Sequence, residues 1–592
     1  MSSPRTRLPG VVYPPPELGA DYAASGMLPQ AALVEAFLAT MRARGEATAI
    51  STLAATMSYA ELDRQSERVA AGLLAIGLKP LDSVLFQMPN GPELMLYFVA
   101  CLRAGLIPVC TLLAHRENEI VQIGRQLGAR AHLVPAQHGK FDYLGFAAKC
   151  RGEVPSLAFT LTTDAATDAA AAAAAGAAGA AADAMSTLAT EPVSSTAPPA
   201  TYTAAALARL GDAAPARAAL AGVEHDPWQV AIYQLSGGTT GTPKVIPRFQ
   251  NDYLCNLQCT VDRLGFRADD RMLVFTPMMH NAPFLCAWGS ALLVGAETVA
   301  IDGVDPKQMI ETILLRRPTW SMVSELMLAR TRGLPGAQQL WSSFRGLLVA
   351  RAAQVVEEQT GVQAFPFFGM TEGVIFFAGP DSPQEVRYGT LGHPISPADR
   401  FKIVVPGEET ELPDGEVGEM VIRGPYTLHG YYDAAERNRQ AFTSDGYYRT
   451  GDLMSAVEID GRRCVRFHGR SKDVVDRGGE KISCEELELH LIQHPHVGAV
   501  AIVPMPDPQY GERACAFIVP SPPNHALTLD DLRRHLAGIG VAKFKWPERL
   551  ELVDGLPMTA SGKVSKAPLR DAIRARIAAE RAQADSGASR PA

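Results

Sequence analysis

The 592-residue chain has no long apolar run. Its most apolar stretches, near Leu94–Leu113 and Phe284–Val299, are cut by Arg103 or by glycines and Glu297. Both fall short of the roughly 18 clean apolar residues a membrane span needs. The N-terminus, Met1-Ser-Ser-Pro-Arg-Thr-Arg-Leu-Pro-Gly10, lacks an apolar h-region, so no signal peptide is expected. Basic residues are outnumbered, 55 Lys and Arg against 63 Asp and Glu, for a formal charge of −8. No nucleic-acid footprint follows from such a balance, and a polyanionic partner would need a local basic patch. Nine cysteines (Cys101, Cys110, Cys150, Cys255, Cys259, Cys286, Cys464, Cys484 and Cys515) are scattered and odd in number. That pattern excludes a disulfide frame and reads as reduced thiols in a cytoplasmic protein. Cys255 and Cys259 would share a helix face, but no His or further Cys pair stands near to complete a zinc site.

What is present is ordinary globular composition, 47% hydrophobic and 20% charged, and the length predicts two or more domains. Residues 1–30 are rich in Pro and Gly and predict a surface wrap. Then helix and strand patterns alternate. Leu33, Phe37 and Met41 share a helical face. Ser58 with Glu61 three residues on reads as a capping box. Ser83-Val-Leu-Phe-Gln-Met and Ile107-Pro-Val-Cys-Thr-Leu read as buried strands. Alternation of this kind predicts parallel α/β units. Residues 164–222 break it, with near-continuous alanine and then Ser, Thr and Pro. Low complexity does not build a packed core, so a poorly ordered surface insertion is expected. From Phe401 the period becomes two, predicting a β-rich subdomain. Beyond Gly469-Arg-Ser-Lys-Asp473, helices at Ser483–Gln493 and Leu529–Leu536 and strands at Val497–Pro504 and Ala514–Val519 predict a compact α+β domain. The expected class is α/β. A large N-terminal domain (1–470) combines α/β subdomains with a β-rich subdomain, a small C-terminal α+β domain spans 471–577, and 578–592 form a disordered tail.

The richest chemistry lies in Gln234-Leu-Ser-Gly-Gly-Thr-Thr-Gly-Thr-Pro-Lys-Val-Ile-Pro-Arg248, after the strand-like run Trp228-Gln-Val-Ala-Ile-Tyr233. Ser236, Gly237, Gly238, Thr239, Thr240, Gly241 and Thr242 supply three glycines and four hydroxyls. Glycine lets backbone N–H groups turn inward without a Cβ in the way, and successive N–H groups form a nest for an anion. Lys244 adds one positive charge and Arg248 a second, so a triphosphate is the expected guest. Pro243 before the lysine departs from the Walker pattern Gly-x-x-x-x-Gly-Lys-Ser/Thr. The run resembles the signature loop of the adenylate-forming superfamily, and its Leu-Ser-Gly-Gly-Thr-Thr-Gly-Thr-Pro-Lys-x-Ile-Pro-Arg form is most similar to the stand-alone aryl-acid branch. Members of that branch activate salicylate or 2,3-dihydroxybenzoate for siderophores.

Four more motifs follow in the superfamily's order, and the resemblance assigns each a role. In Gly369-Met370-Thr371-Glu372-Gly373, Glu372 is implied to hold Mg2+, with Gly369, Met370 and Thr371 beside the adenylate; a hard cation wants a carboxylate next to substrate phosphates. Asp452, in Gly446-Tyr-Tyr-Arg-Thr-Gly-Asp-Leu453, is implied to accept both ribose hydroxyls, with Arg470 alongside. Lys563, in Thr559-Ala-Ser-Gly-Lys-Val-Ser-Lys566, is implied to bridge the substrate carboxylate and the α-phosphate, where two anions meet. Lys472 is implied to be the hinge of a mobile C-terminal domain, whose Gly478, Gly479 and Lys481 would line a thiol tunnel. In the acid pocket, His280 is implied to sit by the carboxylate and Asn281 to bond an ortho hydroxyl. Cys286 and Ile375 stand where dihydroxybenzoate enzymes carry a serine and a valine, which favours salicylate. Phe367 replaces a smaller residue and Ala282 a ring-stacking tyrosine, while Gly346-Leu-Leu-Val-Ala-Arg-Ala-Ala353 is short of the family's pattern, so the ring site is expected to be reshaped.

The implied activity is ATP-dependent formation of an aryl-AMP, then transfer to the phosphopantetheine of an aryl carrier protein. The chain has no Leu-Gly-Gly-x-Asp-Ser-Leu carrier motif, so the carrier would act in trans. The alternatives are a ligase using free CoA and a homologue that binds adenylate without turnover. A monomer or homodimer is expected, with no nucleic acid or membrane as partner. Lys563→Ala should sharply slow adenylation yet spare thioester formation from supplied acyl-adenylate; equal loss of both half-reactions would contradict a division of labour between two conformations.

Overall fold

The computed structural model describes residues 3–135, 137–163, 201–236, 243–303, 305–323, 327–328, 339–350, 352–470, 473–477, 480–523, 525–559 and 563–588. They fall into two compact units. One comprises Met1–Ser236, Thr242–Arg400 and Arg423–Ala441, and the other chiefly Phe401–Ile422 and Phe442–Ala592. The expected boundary at 470 lies inside the second unit, between the strands Arg462–Arg470 and Val474–Arg477.

The first unit is built on two large sheets, as the α/β pattern predicts. A seven-stranded sheet runs, edge to edge, Lys244–Phe249, Val230–Ser236, Ile107–Val109, Ser83–Phe86, Ala131–Leu133, Phe159–Thr162 and Thr201–Thr203. All its neighbours are parallel except the hairpin at the Lys244–Phe249 edge. Ser83–Phe86 is buried throughout, as expected of a strand covered on both faces. A nine-stranded sheet holds a parallel centre, with Ala364–Met370, Gly346–Val349, Trp320–Val323, Arg271–Val274, Glu297–Ala300 and Thr48–Ser51 in spatial order. Antiparallel strands finish both ends. The helix Tyr59–Ala75 starts where the motif predicts, with Ser58 Oγ accepting from the Glu61 amide at 3.1 Å.

The insertion is shorter than 164–222. Residues 164–200 lie outside those described, but Thr201–Thr203 forms the edge strand and Ala204–Gly211 and Ala214–Ala221 form helices. Composition hides this because the alanines and glycines there serve close packing. A Cβ at Gly211 would lie 1.9 Å from the Arg68 carbonyl, and one at Gly72 2.0 Å from that of Leu207. The helices Tyr59–Ala75 and Ala204–Gly211 thus meet backbone to backbone, and Arg68 Nε seals the end by donating to Asp212 at 2.7 Å.

The second unit is β-rich with a helical C-terminus. A four-stranded sheet orders Arg400–Val404, Gly418–Arg423, Tyr448–Ile459 and Arg462–Arg470, the last three antiparallel. A five-stranded sheet gathers Glu480–Ser483, Val474–Arg477, Gly511–Pro520, Val497–Asp507 and Arg549–Leu552, with the helices Cys484–Leu491 and Leu529–Gly538 in its core. The predicted tail is not wholly disordered: the final helix runs Lys566–Ala588. Its Ala, Arg and Glu content favours helix, and Arg549 Nη2 grips Glu580 at 2.7 Å. No helix among the described residues is long and apolar enough to cross a membrane.

Gly211→Ala should destabilise the fold by roughly 1–3 kcal/mol or more through overpacking, and so lower the melting temperature. Gly152→Ala is the control, since a Cβ there meets nothing within 4 Å. Thermal melts that do not separate the two variants would refute the backbone-contact account.

Candidate active site

The phosphate-loop motif occupies a hairpin. Val230–Ser236 pairs antiparallel with Lys244–Phe249, with Ser236 opposite Lys244. The motif therefore begins and ends on adjacent strand termini. Gly237, Gly238, Thr239, Thr240, Gly241 and Thr242 lie outside the described residues. Ser236 Oγ is buried and has no hydrogen-bond partner among the described residues, which suits a donor meant for a ligand.

Lys244 Nζ sits 3.4 Å from the Tyr431 hydroxyl and 4.7 Å from its ring centroid. The same hydroxyl donates to Glu372 Oε1 at 2.9 Å. Tyr431 thus joins the loop lysine to the carboxylate expected to meet Mg2+. It lies 187 residues from Lys244, and no local spacing announces it.

Glu372 is carried by a second hairpin. Ala364–Met370 pairs antiparallel with Val374–Phe377, and Met370 faces Val374 across the turn. Gly373 closes that turn with φ +85°, and a Cβ there would stand 1.9 Å from the Tyr426 carbonyl, so glycine is required on both counts. The Leu428 amide donates to the Glu372 carbonyl at 2.7 Å. Glu372 is 5% exposed, a hard oxygen donor beside a cation, and so fits a magnesium–phosphate site.

Arg248 differs from its expected role. It is fully buried. Its guanidinium donates to Asp252 Oδ1 at 3.2 Å, to the Thr371 carbonyl at 3.2 Å and to the Tyr426 carbonyl at 3.4 Å. It also lies 4.1 Å over the Tyr253 ring. Its charge is committed to holding the Glu372 turn, which leaves Lys244 as the loop's cation among the described residues. An arginine inside the apolar run Val245-Ile-Pro-Arg-Phe249 was the available signal of burial.

The acid-pocket candidates lie on neighbouring elements of the same unit. His280 caps the short helix Asn281–Pro283, which passes into a π-helix, Phe284–Trp288, that carries Cys286. π-Helical turns recur at functional sites. Asn281 is buried and its Oδ1 accepts from the Tyr253 hydroxyl at 2.5 Å. Burial pushes the Cys286 thiol up to about 12, so it stays neutral. Phe367 and Ile375 stand on the strands of the Glu372 hairpin, Ile375 opposite Gly369. In the shortened segment the chain turns through Ala352 with φ 54°.

In the second unit Asp452 and Arg470 are cross-strand partners. Arg470 Nε donates to Asp452 Oδ1 at 3.2 Å, and Asp452 is 1% exposed. Lys563 is exposed; its amide donates to Thr559 Oγ1 at 3.1 Å and its carbonyl accepts from the Thr559 amide at 2.7 Å. Lys472, Gly478, Gly479 and the Lys481 side chain lie outside what is described. No cluster of metal-ligating side chains occurs among the described residues, and Cys255 instead bonds the Met27 carbonyl at 3.0 Å.

Beside Tyr426 lies Asp399. It is buried, accepts from the Tyr426 hydroxyl at 2.6 Å, and burial pushes its carboxyl up to about 7. The folded value exceeds the ordinary 3.8, so its contribution to stability is complete in acid and is lost as pH rises towards 7 and beyond. Asp399→Asn should therefore flatten the fall of melting temperature between about pH 4 and 8, a difference on the order of 4 kcal/mol at full ionisation. Parallel profiles for the two proteins would contradict this.

Residues 37–432 match the AMP-binding enzyme family and residues 486–563 its C-terminal domain. The chain is 34% identical over 541 residues to a salicylyl-CoA synthase / salicylate adenylyltransferase of a Streptomyces species, covering 90% of this chain and 91% of the relative. It is 33% identical over 544 residues to the 2,3-dihydroxybenzoate-AMP ligase of Bacillus subtilis, covering 90% and 92%. The apo structure of MbtA from Mycobacterium smegmatis superposes with a TM-score of 0.66 at 31% identity, covering 95% of this chain and 98% of that one. The chain therefore belongs to the AMP-binding enzyme family, as an adenylate-forming acid ligase on the branch that holds these aryl-acid ligases.

Proposed function

We propose that the protein activates an aryl carboxylic acid, salicylate above others, at the expense of ATP. A carboxylate oxygen attacks the α-phosphorus, the bond to the β-phosphate oxygen breaks, and pyrophosphate leaves. A phosphopantetheine thiol of an aryl carrier protein then attacks the acyl carbon, and AMP departs. The observation that carries this reading is the buried Asn281 amide, tethered at one end by Tyr253, on the element that also bears His280 and Cys286. A buried amide rejects acids that leave it unpaired. The neutral thiol of Cys286, a weak hydrogen-bonding group, and the apolar Ile375 would make poor partners for a 3-hydroxyl, which favours salicylate over 2,3-dihydroxybenzoate.

The remaining roles are those that resemblance to the adenylate-forming family implies. Ser236, the loop after it and Lys244 would hold the phosphates, with Met370 and Thr371 beside the adenylate. Glu372 would hold Mg2+, which offsets phosphate charge as it builds on the leaving group. Tyr431 keeps the Glu372 carboxylate and Lys244 together. Asp452 and Arg470 would take the ribose, His280 the substrate carboxylate, and Lys563 the charge between carboxylate and α-phosphate. Lys472, Gly478, Gly479 and Lys481 are proposed for the hinge and the thiol tunnel. A second reading, transfer to free CoA, is favoured by the name of the Streptomyces relative, which includes a CoA synthase.

ATP–pyrophosphate exchange should be strongest with salicylate among salicylate, 2,3-dihydroxybenzoate, benzoate, anthranilate, 3-hydroxypicolinate and a medium-chain fatty acid, and should fall at least about a hundredfold in Glu372→Gln. Exchange driven only by the fatty acid would refute the aryl-acid reading. Thioester assays with carrier protein and with CoA separate the two acceptors.

A further inference from the structure

Asn281 can present either of two opposite groups to a ligand, a carbonyl that accepts or an NH2 that donates. The protein around it settles which. The Tyr253 hydroxyl donates to Oδ1 at 2.5 Å. Among the described residues no hydrogen bond ties Nδ2. The Tyr253 ring has little freedom: it is buried, stacked on Phe284 with centroids 5.0 Å apart and an interplanar angle of 29°, and covered by the Arg248 guanidinium at 4.1 Å. A hydroxyl has one proton, and here it is spent on Asn281.

Resting on the reading that Asn281 lines the acid site, we propose that Tyr253 is a positioning residue that fixes the Asn281 amide with its NH2 towards the substrate. The site then selects an aryl acid with an ortho hydrogen-bond acceptor over one with an ortho donor. The chemistry of the two classes differs in the required way. An ortho hydroxyl gives its proton to its own carboxylate and turns a lone pair outward. An ortho amino group gives one N–H to the carboxylate and still points another outward, against the Asn281 NH2. Two opposed donors leave both unpaired, and a buried unpaired group costs about one to two powers of ten in binding.

The test is the ratio of kcat/KM for pyrophosphate exchange with salicylate and with anthranilate. In the wild type salicylate should lead. Tyr253→Phe frees the amide to rotate and should narrow the ratio roughly tenfold, chiefly through KM, with melting temperature reported alongside. Asn281→Asp keeps the bond from Tyr253 but leaves only acceptor oxygens, and should move the ratio towards anthranilate even if Tyr253→Phe does not fold. Adding Tyr253→Phe to Asn281→Ala should change the ratio no further. A wild type that favours anthranilate, or a folded Tyr253→Phe or Asn281→Asp enzyme with the wild-type ratio, overturns the proposal. The underlying reading fails separately, if Asn281→Ala keeps the wild-type preference for salicylate over benzoate.

Discussion

A guanidinium taken out of water costs several kcal/mol unless every face of it finds a partner, and Arg248 is fully buried. It binds Asp252 on the helix that follows its own strand, the carbonyls of Thr371 and Tyr426, and the face of Tyr253. Asp252 and Tyr253 share one helix and the two carbonyls lie on two further segments, so the charge is compensated only when all three segments are in place. The loop hairpin, the Glu372 turn and the stretch around Tyr426 are thereby held in one arrangement. Position, which phosphoryl and acyl transfer demand above all, is what this buried charge supplies.

The same compensation extends to the residues proposed for the acid pocket. Tyr253 is gripped by Arg248 on one contact and by Phe284 on another, and its hydroxyl reaches Asn281. The group that holds the Glu372 turn thus also holds, through Tyr253, the residue proposed to read the acid. Lys244 and Glu372 are linked likewise through Tyr431, so opposite charges stand close while the carboxylate remains buried.

Much of this was legible in the chain because the chemistry is written in short contiguous runs. The glycines and hydroxyls after Gln234, the turn at Gly369–Gly373 and the Gly-Asp at 451–452 each owe their character to neighbours a few residues away. Gly373 is a case in point: a turn with positive φ pressed against a carbonyl admits glycine alone. The alternation of helix and strand likewise announced the parallel centres of the two large sheets. Less legible was the stretch after Ala200, where alanine and glycine look like filler but make a helix contact through bare backbone.

Sequence by itself determined the class of fold and the family, because local spacing dictates turns and strands and the motifs stand in contiguous runs. Tertiary structure alone decided what the side chains do with their charges and protons. Arg248 reads as a phosphate cation until burial commits it to Asp252 and two carbonyls. Asn281 reads as a donor or an acceptor alike until Tyr253 fixes one end. Tyr431, 187 residues from Lys244, enters the site only through folding. Burial and long-range hydrogen bonds set those roles, and neither is a property of adjacent residues.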